Sequence, residues 1–114
     1  MTQTPHWKDR PEVKKRLDSD GKKILIWANV IMLATIIVHD CDHVRQAICW
    51  NYQIPLYLYI VNISAYIPSF VALALAFKRN KSASIATAVN GCLIAAGFAQ
   101  IHLWKPSIPI LPIC

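Results

Sequence analysis

Two histidines and two aspartates lie close together after the first apolar stretch, in the run His39-Asp40-Cys41-Asp42-His43. His39 and His43 are four residues apart, so on a helix both imidazoles project from one face. The H-E-x-x-H motif binds a transition metal with this geometry. Asp42 adds a carboxylate that is able to bind the ion or to orient a histidine ring. The spacing predicts a metal site here, provided that the chain supplies another donor.

His102, near the end of the last apolar stretch, is the further nitrogen donor that we expect. The candidate ligands are therefore His39, Asp42, His43 and His102, and the candidate ions are zinc, copper, nickel and iron. A b-type haem, held by His39 or His43 on one side and His102 on the other, is a lesser alternative. Cys41, Cys49 and Gln100 are weaker candidate ligands nearby.

A structural interpretation of the same residues stays open. Histidine and aspartate at a membrane boundary are hydrated, and Asp42 is placed to pair with Arg45 three residues later on a helix. In that case the polar residues only mark the end of a membrane span. A proton-linked role for the histidines is a further alternative.

The elements that must position these residues are three apolar runs. Hydrophobic residues make up 55% of the chain and charged residues 16%, whereas soluble domains average roughly 25% charged residues. The first run is shorter than the roughly 20 residues that cross a bilayer, and residues 39–50 extend it as an amphipathic helix. We predict an all-α integral membrane bundle of three transmembrane helices: a basic cytoplasmic tail (1–23), the transmembrane domain 24–104 (helices 24–39, 54–77 and 83–104), and a Pro-rich apolar tail (105–114).

The basic residues predict the orientation of the bundle. Of the 12 Lys and Arg residues, ten lie in the tail or in the 78–81 loop. Because cytoplasmic loops are rich in Lys and Arg, the N-terminus is predicted to be cytoplasmic, in a multi-pass protein of the cell (inner or plasma) membrane. The histidines then lie at the outer face. This distribution indicates anionic lipid, and no nucleic acid, as the partner of the basic residues.

The third helix carries small residues at every fourth position, a pattern typical of close helix packing in lipid. This helix is therefore predicted to lie centrally or to contact another subunit, so that the protein is a homo-oligomer or binds other membrane subunits. The two rows are Ala83, Thr87, Gly91, Ala95, Ala99 and Ser84, Ala88, Cys92, Ala96.

Two further features make local predictions. Each apolar run contains one asparagine (Asn29, Asn62 and Asn90), and an unpaired amide in hydrocarbon is costly, so each should form a hydrogen bond across the bundle. Within the tail, Pro11 and Glu12 predict the start of a short helix and Gly21 its end.

Enzymatic function is not indicated. The sequence contains no G-x-S-x-G, Walker or dinucleotide motif, and its four cysteines form no C-x-x-C pair. We therefore predict a non-enzymatic accessory or structural membrane subunit. The alternative is a metal-binding or metal-transport-related membrane protein that uses the His/Asp cluster.

The segment from His39 to Gln46 reads H-D-C-D-H-V-R-Q. It resembles small multi-span bacterial membrane proteins, notably of actinobacteria, that carry an H-D-x-D-H-x-R-Q motif and have no known function. Those proteins resemble four-helix units with a histidine-containing segment after the third helix. His102 and Trp104 resemble that segment. The resemblance implies a bacterial membrane location and no particular activity.

Overall fold

The described part of the chain, residues 10–104 of a computed structural model, is all-helical. Each of its helices is long and apolar enough to cross a membrane, which confirms the three predicted apolar spans. The connections between them are short, so consecutive helices pack as antiparallel neighbours. The elements are α1 (Pro11–Trp50), α2 (Leu56–Phe77), and α3 (Ala83–Ala99), which continues as a π-helical segment (Gln100–Trp104).

Helix α1 is much longer than a membrane span. Its 40 residues correspond to about 60 Å, twice the roughly 30 Å of the hydrocarbon core. The helix passes through Gly21, where the sequence predicted an end, because one glycine in an exposed helix costs only about 1 kcal/mol. Residues 39–50 continue the helix as predicted, and Asn51 follows with a left-handed φ of 50°. Residues 1–9 and the Pro-rich tail 105–114 lie outside the described residues.

The packing core is small and is made largely of short side chains. Most large apolar side chains are exposed, as expected where lipid is the surrounding solvent. Alanine at the helix contacts allows the backbones to approach closely, which favours association in lipid. The buried apolar residues are Leu33, Ile36, Ala72, Ala76 and Ala83.

Polar side chains connect the helices inside this core. The Asn29 amide nitrogen on α1 donates to Thr87 Oγ1 on α3 over 2.8 Å, and Asn90 on α3 donates to Ser69 Oγ on α2 over 2.9 Å. Asn29 and Ser69 are fully buried. The prediction that these asparagines bond across the bundle is confirmed, and Asn62 bonds to α1 at the candidate site.

The two rows of small residues on α3 have different surroundings. In the first row Ala83 is buried, and Thr87 and Gly91 are half-buried against the bundle. Every member of the second row is exposed, so this row faces the surroundings of the described chain. The exposed row comprises Ser84, Ala88, Cys92 and Ala96.

Candidate metal centre

Three of the predicted ligands meet at one end of the bundle. His39 and His43 come from α1 and His102 from the π-helical segment. One ring nitrogen from each residue lies within 4.8 Å of the corresponding nitrogen of the other two. The Nε2 atoms of His39 and His43 are 3.0 Å apart. Two distant parts of the sequence therefore supply nitrogen donors to one small volume.

The imidazole rings pack directly on one another. The ring centroids of His39 and His102 are 5.0 Å apart, and those of His43 and His102 are 5.4 Å apart with nearly parallel planes. Phe98 lies against His102 at 4.4 Å between ring centroids and against His39 at 5.4 Å. The cluster is thus half-buried and has an apolar wall on its α3 side.

His102 lies where α3 widens. The helix is α-helical to Ala99 and π-helical from Gln100 to Trp104, a geometry that is rare and occurs frequently at functional sites. Gln100 is exposed while His102 is half-buried. The widened turn therefore turns His102, and not Gln100, towards α1.

The two ring nitrogens of His43 have different surroundings. Among the described residues, its Nδ1 atom is buried and has no hydrogen-bond partner. A neutral imidazole has one donor and one acceptor nitrogen. The Nε2 atom of His43 lies 3.0 Å from Nε2 of His39 and is the nitrogen that would accept a bound cation at the cluster.

Asp42 is not brought to the histidines. Its Oδ1 atom accepts from Arg45, with a 2.7 Å contact to Nη2, and its Oδ2 atom accepts from Gln46 over 2.6 Å. Within residues 10–104, the group that could hold a metal consists of the three histidines alone. The pairing of Asp42 with Arg45 is the one that the structural interpretation predicted.

Asp40, which sequence reasoning missed, is the carboxylate that faces the neighbouring helix. Its Oδ1 atom accepts from Asn62 Nδ2 over 2.5 Å, and its Oδ2 atom accepts from Tyr66 Oη over 2.6 Å. Both donors lie on α2, four residues apart and therefore on one helix face. That polar pair was the signal in the sequence that could have predicted an acceptor on α1.

The depth of the cluster follows from helix lengths. His39 comes 16 residues after Lys23 and His102 comes 19 after Ala83, which correspond to about 24 Å and about 28 Å of α-helix. A hydrocarbon core is roughly 30 Å thick. For helices that span a bilayer, both lengths would put the histidines near one boundary, at the end of the bundle opposite the basic 78–81 loop.

No family model, no curated protein and no solved structure matches this chain. The resemblance of residues 39–46 to the H-D-x-D-H-x-R-Q membrane proteins stays a hypothesis. A function is therefore inferred from the contacts of the chain itself.

Proposed function

We propose that this chain is a metal-binding membrane protein in which His39, His43 and His102 hold a transition-metal ion. One observation carries the proposal, the convergence of three ring nitrogens within 4.8 Å. Zinc–nitrogen bonds of 2.0–2.1 Å in tetrahedral geometry separate two ligand nitrogens by about 3.4 Å. The largest separation in the cluster exceeds that spacing by at most about 1.4 Å.

The donor set indicates the class of ion. Imidazole suits zinc, copper, nickel and iron, whereas calcium and magnesium prefer oxygen ligands. Three protein ligands leave a fourth position for water or another ligand, which fits exchange of the ion and a role in metal transport. The close contacts among the rings favour a single ion over haem, because a porphyrin would have to enter between rings that now touch.

Metal content tests the proposal directly. The detergent-purified chain is analysed for bound metal and by visible absorption, beside H39A/H43A and beside D42N as the control. We expect near-stoichiometric metal in the wild type and in D42N, and loss of metal in the double variant, because the removed nitrogens are ligands and Asp42 bonds elsewhere. A metal-free wild type after incubation with zinc, copper, nickel or iron would contradict the proposal.

The second candidate is a non-enzymatic accessory or structural membrane subunit. The exposed row of small residues on α3 favours it, because such rows allow close approach of another transmembrane helix. The occupant would be a second copy of the chain or another membrane subunit. A metal-free wild type that purifies as an oligomer, or with a partner, would favour this candidate over the first.

We also propose that the N-terminus is cytoplasmic and that the chain is a multi-pass protein of the cell (inner or plasma) membrane. The ten Lys and Arg residues of the tail and the 78–81 loop support this orientation. Alkaline phosphatase fused after Lys81 should be inactive, because the enzyme matures only outside the cytoplasm, whereas a fusion after Gln53 should be active. An active Lys81 fusion and an inactive Gln53 fusion would reverse the orientation.

A further inference from the structure

Asp40 joins α1 to α2 next to the histidines. Its two carboxylate oxygens accept from Asn62 and Tyr66 on α2. Side chains of an α-helix extend about 5–6 Å from its axis, so a rotation of about 10° moves a ring by about 1 Å. Metal–ligand distances tolerate only about 0.2 Å. A rotation that followed loss of these two hydrogen bonds would therefore move His39 and His43 relative to His102 by more than that tolerance.

Asp40 also contributes charge. The three imidazoles bind a metal in their neutral form, so they leave the charge of a divalent ion uncompensated. Asn62 and Tyr66 are both donors to Asp40, as suits an ionised carboxylate, which only accepts. Asp40 is half-buried, where water screens its charge less than at an exposed position. A carboxylate adjacent to His39 therefore favours an ion with two positive charges over an ion with one.

We propose that Asp40 is the positioning residue of the three-histidine site and that its negative charge favours a divalent over a monovalent ion. This inference rests on the proposed metal-binding function. Asp40 is not itself a ligand, since both of its oxygens are bonded to α2.

The test compares D40N with D42N in the full-length, detergent-purified chain. Both variants remove one carboxylate from the same stretch of α1, but Asp40 is hydrogen-bonded to α2 and Asp42 to Arg45 and Gln46 of α1 itself. Titration with Zn²⁺ should show affinity at least about tenfold weaker in D40N, as is typical when a partner that orients a ligand is lost. The Cu⁺ affinity should fall by a smaller factor. D42N should bind both ions like the wild type, because Asp42 is exposed and pairs with Arg45.

A spectroscopic readout separates positioning from general stability. Co²⁺ reports ligand geometry through its visible d–d bands, which we expect to shift in D40N and in Y66F. Y66F retains the charge of Asp40 and removes one of its two donors. This variant should therefore keep the wild-type preference for Zn²⁺ over Cu⁺.

The possible results distinguish this inference from the proposed function. If the wild type binds no Zn²⁺, the proposed function fails. If the wild type binds Zn²⁺ but D40N equals D42N in affinity and in Co²⁺ spectrum, the role of Asp40 is overturned. Equal weakening of Zn²⁺ and Cu⁺ in D40N would overturn the charge preference. If D40N does not fold, Y66F decides, and an unchanged Co²⁺ spectrum there would overturn the positioning role.

Discussion

Replacing His102 by alanine is expected to abolish the stabilisation that zinc would give the protein at the proposed site. A ligand that binds only the folded state at 100 times its Kd stabilises that state by about 2.7 kcal/mol. In the wild type the ion would link α1 to the end of α3 through His102. In H102A the remaining pair, His39 and His43, lies on one helix. Binding to that pair no longer depends on the docking of α1 against α3.

The measurement is unfolding in detergent with zinc and with a chelator, for the wild type, H102A and Q100A. Q100A changes an exposed residue of the same π-helical segment, so it should retain the full effect of zinc. A zinc effect of equal size in H102A and the wild type would remove His102 from the site. If Q100A also lost the effect of zinc, that effect would depend on the π-helical segment as a whole and not on the His102 imidazole.

The second large effect is expected from A72L, which enlarges a side chain in the closest part of the core. Ala72 is 1% exposed, and extra methylene groups in a packed core typically cost about 1–3 kcal/mol. The free energy of unfolding should fall by that amount in titrations with sodium dodecyl sulfate. A74L is the matched control, since Ala74 lies on the same helix and is exposed.

The comparison of A72L with A74L also tests the packing of α2. A74L adds the same atoms on the outer surface of the bundle and should leave stability nearly unchanged. Equal stability of the two variants would contradict the close approach of α2 to its neighbours. Greater destabilisation by A74L would mean that the faces of α2 are reversed.

The spans were predictable because apolar runs long enough to cross a bilayer have few other structural solutions. The two ends of α1 were harder to predict from the sequence. Gly21 is a helix-stop signal in the sequence. In the structure it lies in open space, where a Cβ would meet nothing within 4 Å, so no tertiary contact bends the chain away from the helix there. The polar face of residues 39–50 pointed correctly to a helical extension.

The site was only partly predictable. The proximity of His39 and His43 could be predicted from their spacing of four residues on a helix. His102 could be predicted to join them because the third helix ends on the same side of the bundle. Asp42 also fits the spacing, but Arg45 and Gln46 lie one turn away and take both of its oxygens. Asp40 was missed because its donors, Asn62 and Tyr66, come from another helix, and periodicity within α1 carries no information about them.

The unbroken length of α1 has a mechanical consequence. A single rod runs from Pro11 to the histidines and on to Trp50, with no loop to absorb motion. A force that twists or tilts its basic N-terminal end is therefore transmitted along the helix to the rings of His39 and His43. Those rings close on His102 of another helix, so the cluster would register such a movement as a change in the distances between its nitrogens.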